Sequence, residues 1–318
     1  MPDAKPATPG DVPPSHGRVP VSVCVFAYNE EAGIAGCLDA IGACAGEAAL
    51  TVHVMINGCT DGTEAAVRAY RPRGFAVLPV VIARGDKSNA WNTYVHETAP
   101  EGAAMHVFTD GDLRMAPGSI AGLLDAFERQ PEAMGCAALP LTGRSRAAFR
   151  DKLVGRREMS GNLYALRGVM LRAFRARGVR LPFGMFGEDG LVTMLVKCDL
   201  DPLSGIRDER VTHTEQGGFA FEPLDPGRLS DLRIYRNRRR RYALRRRQAE
   251  MLYPLLYERG VEAMPAHVLD LYRLRAESLR PRWRGLDTWF DWQALRRIRR
   301  DLAAGEAARA AERAHMYS

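Results

Sequence analysis

Apolar residues in the first 130 positions follow two alternating patterns. Short continuous apolar runs, as expected where both faces of a strand are covered, predict strands at 21–26, 50–56, 75–83 and 103–109. Apolar residues at helical spacing, after polar or proline starts, predict helices at 29–44, 60–70, 86–98 and 117–127. This alternation predicts an α/β fold whose sheet is mostly parallel and flanked by helices.

The pattern loosens after Pro131. A largely helical, basic segment is predicted at 144–177, a glycine-rich loop at 183–189, a helix at 190–198 and mainly helices from 228. Three regions follow: a leader at 1–18, an α/β domain at 19–225 and a helical basic region at 226–318. The leader is rich in Pro, Ala, Gly and Asp and lacks the apolar core of a signal peptide, so we expect it to be disordered.

Charge is distributed unevenly along the 318 residues. The net charge is +7, and the arginines crowd into the second half of the chain. This asymmetry predicts an anionic partner, which could be a nucleoside diphosphate, a membrane surface or a nucleic acid. Six scattered cysteines form no Cys-x-x-Cys pair, and no apolar stretch approaches the length that spans a bilayer. A cytoplasmic protein with reduced thiols is therefore predicted.

Two aspartates, Asp110 and Asp112, directly follow the fourth predicted strand. Two carboxylates one residue apart at the end of a buried strand are costly unless a cation or a proton neutralises them. Hard oxygen ligands suit magnesium or manganese, which could hold a phosphate-bearing substrate. Capping of the next helix is the alternative.

Polar side chains follow two other predicted strands at the same kind of position. Tyr28 and Asn29 follow the first strand, and Asn57 follows the second. Ligands of parallel α/β sheets bind beyond the carboxyl ends of the strands. We therefore expect these residues to form one site together with Asp110 and Asp112.

Five short motifs carry a family resemblance. They are Phe-Ala-Tyr-Asn-Glu-Glu at 26–31, Asn-Gly-Cys-Thr-Asp-Gly-Thr at 57–63, Lys-Ser-Asn-Ala-Trp-Asn at 87–92, Asp-Gly-Asp at 110–112 and Gly-Glu-Asp at 187–189. In order and spacing they resemble the signatures of family 2 glycosyltransferases of the GT-A fold. The resemblance covers about 19–213 and implies a Rossmann-like, mixed but mostly parallel sheet in the domain at 19–225. The helical, Arg-rich C-terminal extension is not covered.

The resemblance implies a pocket for a nucleotide-diphosphate sugar. The donor-binding residues that it implies are Ala27, Tyr28, Asn29, Glu30, Asn57, Lys87, Asn89, Asn92 and Asp110. The chain departs from the family at Asn57, because one or two Asp are common there. An Asn amide is both donor and acceptor and can still pair with uracil or guanine, although an ordinary Asn-Gly turn is the alternative. Lys87 opens a helix whose amides favour anions, with a solvated Lys as the alternative.

The metal and the general base are also implied by the resemblance. Asp112 and Asp110 would bind manganese or magnesium, which stabilises the leaving nucleoside diphosphate as a Lewis acid. His213 lies where some members have a further ligand, although an ordinary polar or core His is the alternative. Asp189, preceded by Glu188, would take the proton of the acceptor hydroxyl in an inverting displacement, with helix capping as the alternative.

The acceptor side of the pocket is implied at three small residues. Ser160 and Gly161 lie in a segment that resembles this wall, and Gly187 precedes the Glu-Asp pair. Small side chains would allow a sugar to approach closely. A helix-packing role for Gly161 is the alternative.

The arginine run at 238–241, followed by Tyr242, has three interpretations. It could be a solvated helix face, a surface at 233–247 that contacts anionic membrane, or a clamp for the donor diphosphate. The Gln-x-x-Arg-Trp motif and the transmembrane helices of processive synthases are absent, which argues against that class. The aromatic residues Trp283, Trp289, Phe290 and Trp292 are expected in the core, with stacking on a sugar or lipid as the alternative.

The sequence therefore predicts a metal-dependent inverting glycosyltransferase. Its acceptor would be the hydroxyl of a glycan, a lipid-linked glycan or a small molecule, as in polysaccharide or glycolipid biosynthesis. It would be cytoplasmic, or peripheral to the inner face of the membrane. The rival prediction is an Arg-rich protein that binds nucleic acid or a membrane surface without transferase activity. No nucleic acid is expected, because the carboxylates would repel its phosphates without a metal.

Overall fold

A computed structural model describes residues 17–143, 146–220, 229–275 and 277–316 except 278, 279, 282 and 286; at 229–235 and 306–316 it describes the backbone alone. The strands are β1 (Val19–Ala27), β2 (Ala48–Asn57), β3 (Ala76–Ile82), β4 (Met105–Asp110), β5 (Arg114–Met115), β6 (Gly135–Pro140), β7 (Leu163–Arg167) and β8 (Val211–Ala220). The helices are α1 (Ile34–Ala43), α2 (Thr63–Ala69), α3 (Lys87–Thr93), α4 (Ser119–Arg129), α5 (Arg146–Arg156), α6 (Gly168–Ala176), α7 (Glu188–Lys197), α8 (Leu229–Arg259), α9 (Val268–Leu274) and α10 (Asp287–Met316).

These strands form one sheet in the order β3-β2-β1-β4-β7-β6-β8-β5. The first four are parallel neighbours, as the alternating pattern predicted. The chain order reverses between β1 and β4, which lie side by side although two strands separate them in sequence. Such a reversal opens a crevice at the carboxyl ends of the strands.

The period of two along β1 divides the core between the two faces of the sheet. Val21, Val23 and Val25 pack with α1, α2 and α4, whereas Cys24 and Phe26 pack with α3 and the later helices. All six cysteines are free thiols, and Cys59 alone among them is not fully buried. Covered on both faces, β1 holds the residues that follow it in a fixed position.

The predicted helical segment at 144–177 is wrong in its middle, because β7 runs through it. This strand pairs antiparallel with β4, and Tyr164 stacks on Phe108 with ring centroids 4.7 Å apart. Leu, Ala and Arg favour helices, but this cross-strand packing overrides their propensity. Strands β6 and β8 were not predicted either. The sheet is therefore mixed in its second half, in agreement with the GT-A fold class.

The start of the first helix also differs from the prediction. Helix α1 begins at Ile34, and its first turn is not capped by the side chain of Asn29. Asn29 has a left-handed backbone (φ 56°), and its side-chain oxygen accepts a hydrogen bond from the amide of Thr60 at 2.8 Å. The residue thus joins the loop after β1 to the loop after β2.

Helices α8, α9 and α10 follow the sheet and pack on its α3 face. Within the described ranges, no helix combines the length and the apolar character needed to cross a bilayer. Most of the predicted leader, at 1–16, lies outside the described residues, as does the predicted domain boundary at 225/226.

Candidate active site

Three strand ends meet at one edge of the sheet. Glu30 follows β1, and its amide donates to the hydroxyl of Thr63 beyond β2 at 2.8 Å. Gly111 follows β4, and its amide donates to the carbonyl of Phe26 at 2.9 Å. A Cβ at Gly111 would lie 3.2 Å from that carbonyl oxygen, so glycine allows this close approach. The predicted convergence of the loops after β1, β2 and β4 is therefore present.

Lys87 lies at the centre of this edge. Its ammonium nitrogen is 2.5 Å from Oδ1 of Asp110 and 3.0 Å from Oε1 of Glu188, and it lies 5.1 Å from the ring centroid of Phe26. Burial alone would lower the pKa of Lys87, but the two carboxylates outweigh it and raise the pKa above its ordinary value. The lysine thereby joins residues that are 78 positions apart in the sequence.

Gly161 reaches the edge because β7 is antiparallel to β4. Leu163 pairs with Thr109, so the residues just before β7 lie beside the end of β4. The Gly161 carbonyl accepts a hydrogen bond from Lys87 at 3.4 Å, and a Cβ at this position would lie 3.1 Å from Glu188 and 3.2 Å from Lys87. Its lack of a side chain lets these two groups meet. Ser160 is buried beside it.

Asp189 is held by three donors. The Gly161 amide donates to Oδ2 at 3.0 Å, the Gly190 amide to Oδ1 at 2.9 Å, and Arg245 of α8 lies 3.0 Å from Oδ1. Gly187 has a positive φ of 80°, and a Cβ there would collide with Arg245 at 2.3 Å from Nε. Arg245 thus packs over the start of α7 and fixes the direction of the Asp189 carboxylate.

Polar side chains in and around α3 hold neighbouring segments in place. Asp86 caps α3 by accepting from the Asn89 amide and also accepts from the Gly184 amide, both at 2.8 Å. The side-chain oxygen of Asn57 accepts from the Asp86 amide at 2.9 Å. Both ends of the Asn92 amide bond the backbone of Leu181 at 2.8 Å. The structure therefore engages the Asn92 side chain and the Asn57 oxygen in scaffold contacts.

Five acidic side chains form what we call the carboxylate edge: Glu30, Asp110, Asp112, Glu188 and Asp189. Burial, followed by the charges of Asp112 and Asp61, raises the pKa of Glu30 to about 7. Burial also raises the pKa of Asp110 to about 6, although Lys87 opposes the rise. Asp112 is exposed at the rim. Such crowding of carboxylates favours the binding of a cation.

The predicted metal site has oxygen ligands only. Among the residues that the structure describes, no three His, Cys, Asp or Glu side chains converge on one point. Magnesium commonly binds one or two carboxylates and completes its shell with substrate phosphates and water. Asp110 at the end of β4 and Asp112 just beyond it fit that mode, and the raised pKa of Asp110 and of Glu30 marks the charge that a cation would relieve.

His213 is not brought to this cluster. It is in register with Ala137, Tyr164 and Phe108 across the sheet, which puts it three strands, or about 14 Å, from β4. Its imidazole lies 3.8 Å from Glu215, and burial lowers its pKa. The remaining predicted donor residues lie at the edge or near it: Ala27 is buried at the end of β1, Tyr28 is exposed beside it, and Asn89 is half-buried in α3.

Two residues of the site were not singled out from the sequence. Asp86 carries a usable signal, since an Asp three residues before an Asn at a predicted helix start is a typical N-cap. Arg245 carries none, because it is one of many arginines between 236 and 247.

The arginine-rich helix has different contacts on its different faces. Arg245 contacts Asp189, and Arg247 is buried against Asp291. Arg240 and Arg241 are exposed. The exposure of these two side chains agrees with a solvated face for that part of the run at 238–241, whereas Arg239 in the same run pairs with Asp287. The core assignment of the aromatic group is wrong for the tryptophans, which are 86%, 60% and 38% exposed at 283, 289 and 292.

The comparisons with known proteins agree with this fold. Residues 22–176 match the family model described as "Glycosyl transferase family 2". No curated protein matches the chain in sequence. Among solved structures, the mannosyltransferase PcManGT from Pyrobaculum calidifontis, in complex with GDP-Man and Mn²⁺, is 21% identical with a TM-score of 0.56, covering 97% of this chain and 84% of that chain. Residues 1–349 of S. aureus TarS are 11% identical with a TM-score of 0.50, covering 88% and 82%.

The mixed sheet, with acidic loops at its switch point, has the GT-A fold. The family-model match over residues 22–176 identifies this part of the chain as a glycosyltransferase domain. The two structural likenesses are too low in identity to carry more than the fold. The rival prediction, a binding protein without transferase activity, is not what the family match supports.

Proposed function

We propose that this protein is an inverting, metal-dependent glycosyltransferase that moves a sugar from a nucleoside-diphosphate sugar to a hydroxyl acceptor. The observation that carries the proposal is the position of Lys87 between Asp110 and Glu188. Lys87 joins Asp110, a carboxylate suited to a metal, and Glu188, which precedes the candidate base, in one site.

Asp112 and Asp110 would hold manganese or magnesium together with the donor diphosphate. The bound metal supplies Lewis-acid stabilisation of the leaving nucleoside diphosphate. Lys87 would add positive charge beside the diphosphate, and the exposed Tyr28 and the linked Asn29 would form the nucleotide rim with Ala27, Glu30 and Asn89. Asn57 would act through its free NH₂ group, because its oxygen is already engaged.

Asp189 would accept the proton of the acceptor hydroxyl. A general base must lie within hydrogen-bond reach of its proton and be held in position. The three donors to Asp189 supply that orientation. Gly161 and Ser160 would form the acceptor wall, and Glu188 would position Lys87. His213 lies three strand spacings from β4 and is not part of the metal site that we propose.

A cytoplasmic location and contact with anionic membrane at 233–247 are part of the proposal. Tyr242 is 55% exposed and could meet a membrane surface, whereas Leu244 is buried between helices. Exposed arginines outside the α8–α10 contact, such as Arg236, would supply the electrostatic attraction to anionic lipid. A lipid-linked acceptor would be reached from that surface.

The test is isothermal calorimetry of uridine, guanosine and thymidine diphosphates with manganese, combined with a transfer assay. Asp112→Asn should weaken nucleotide binding at least about 100-fold and abolish transfer. Asp189→Asn should leave nucleotide binding unchanged and lower transfer at least about 1,000-fold. Exposed Asp151 of α5 provides the matched control, since Asp151→Asn removes the same charge outside the site. If Asp112→Asn bound the nucleotide as wild type does, the metal assignment would be wrong.

A further inference from the structure

A cavity of about 800 Å³ opens between α8 and α10. Five arginines line it, Arg240 and Arg241 from α8 and Arg296, Arg297 and Arg300 from α10. No Asp or Glu is among the described residues of its wall. The volume is within the usual range for small-molecule sites, and the lining is suited to an anion.

The arginines line the open cavity from both helices, and all five are exposed. On α8 they lie at 240 and 241, one turn before Leu244, and on α10 they lie at 296, 297 and 300. Apolar residues at this spacing would close the interface between two helices. Guanidinium groups repel one another across it instead, which disfavours the compact state unless an anion is bound.

The charges of the cavity arginines are less fully neutralised than the charge of Arg247 on the inner face of α8. Arg240 donates to the neutral amide oxygen of Gln293, and Arg296 lies 4.6 Å from the ring centroid of Trp292. Arg297 and Arg300 share one carboxylate, Asp301, at 3.5 and 3.4 Å. By contrast, Arg247 on the inner face of α8 contacts both Asp291 and Glu250.

The wall of the cavity is continuous with the candidate base. Leu244 lines the cavity, and the next residue, Arg245, binds Asp189. From the other helix, Arg297 lies 5.2 Å from the ring centroid of Phe186, two residues before Glu188. A ligand in the cavity would therefore contact the same segments that hold the acceptor side of the site.

We propose that this cavity binds the phosphate of the acceptor, so that the acceptor is a phosphate or diphosphate ester. The inference rests on the proposed function for its hydroxyl-transfer step, but the anion site itself does not. Trp289 and Trp292, stacked with centroids 5.1 Å apart at the cavity wall, would pack against the apolar or sugar part of the ester.

The test uses inorganic pyrophosphate in EDTA, because without a metal the carboxylate edge repels it. Arg241→Gln combined with Arg296→Gln should raise the Kd for pyrophosphate about tenfold or more, since charge-assisted hydrogen bonds are lost. Arg73→Gln combined with Arg129→Gln removes the same net charge from exposed positions outside the cavity and should leave the Kd unchanged. Equal weakening in both double variants would overturn the proposal.

Two further arms separate this site from the donor site. Asp112→Asn should bind pyrophosphate in EDTA as wild type does, and loss of binding there would overturn the cavity assignment. The cavity variant should bind nucleoside diphosphate with manganese normally, with an unchanged Tm in the absence of ligand. If wild type bound no nucleotide, the proposed function would fail while the pyrophosphate result still stood.

A last arm identifies the source of the phosphate. Binding to phosphatidylcholine vesicles that contain phosphatidic acid is measured for the wild type, the cavity variant and its matched control. Vesicle binding that depends on Arg241 and Arg296 supports the cavity and assigns a lipid phosphate. Vesicle binding that is equal in both variants, with pyrophosphate binding still lost in the cavity variant, supports the cavity and assigns a water-soluble ester.

Discussion

The carboxylate edge and the arginine cavity are two concentrations of charge whose neutralisation differs. At the edge, the charges come from loops distant in sequence, and Lys87 and Arg245 neutralise them in part. In the cavity, the charges come from two helices, and Asp301 contacts only two of the five arginines. Opposite charge is therefore supplied by the protein where burial requires it and is incomplete where a bound anion would supply it.

The inner contact between α8 and α10 shows the fully neutralised case. Arg247 is 2% exposed, and it pairs with Asp291, which is 1% exposed and also lies 3.2 Å from Arg246. Burial of this kind is tolerated only when both partners are present, because an unpaired buried charge is costly. The pair belongs to the fold, whereas the cavity arginines face solvent.

The largest expected effect comes from breaking that inner pair. Asp291→Ala leaves two guanidiniums without their shared carboxylate, so the free energy of unfolding should fall by about 3–5 kcal/mol. Urea unfolding followed by circular dichroism measures it. The matched control is Asp287→Ala, which removes a 42% exposed partner of Arg239 and should cost less than about 1 kcal/mol. Equal losses in the two variants would show that the distinction between inner and outer pairs is wrong.

A smaller loss is expected from Lys87→Met at the carboxylate edge. The Asp110 and Glu188 carboxylates would lose their shared cation, but the Lys87 side chain is 27% exposed and water can reach the site. We expect the free energy of unfolding to fall by about 2 kcal/mol. Manganese with nucleoside diphosphate should recover part of it, because the carboxylates regain a cation.

The control for Lys87 is an exposed helical ion pair. Arg68 lies 2.8 Å from Glu64, and both side chains are about half exposed. Arg68→Met should therefore cost only about 0.5 kcal/mol. A Lys87→Met variant as stable as Arg68→Met would mean that the edge carboxylates are already balanced without the lysine.

The parallel half of the molecule was predictable from local pattern. The continuous apolar runs at 21–26 and 103–109 correspond to β1 and β4, and sheet topology then brings their ends together without further information. The donor-side motifs are short and lie beside these strands. For that reason the convergence of Glu30, Asp110 and Asp112 could be expected.

The acceptor half depends on long-range contacts that local pattern does not contain. Strand β7 is helical by propensity, so local pattern did not predict the position of Gly161 beside Lys87, and only the family resemblance implied Gly161 in the pocket. Arg245 differs from its neighbours only in what α8 packs against. The cavity likewise exists only once α8 and α10 face each other, although its arginines recur at helical spacing in each sequence segment.

The smallest expected effect is a pH-dependent change in stability that comes from Glu30 at the carboxylate edge. Burial and neighbouring carboxylates raise the pKa of Glu30 from 4.5 to about 7, so between those pH values the folded state binds more protons than the unfolded state. Stability then falls as the pH rises through that window. Glu30→Gln removes this contribution and should be the more stable protein at pH 7.5 by about 1 kcal/mol, after allowance for its partial exposure.

The measurement is the difference in Tm between wild type and Glu30→Gln from pH 4.5 to 7.5 without metal. His53 and His106, whose pKa values are lowered to about 4 by burial, act equally in both proteins and cancel in the difference. A difference that does not change with pH would contradict the crowding of Glu30 with Asp112 and Asp61. Manganese with nucleoside diphosphate should favour the wild type instead, and more strongly at pH 7.5 than at pH 5.5, because metal binding requires ionised carboxylates.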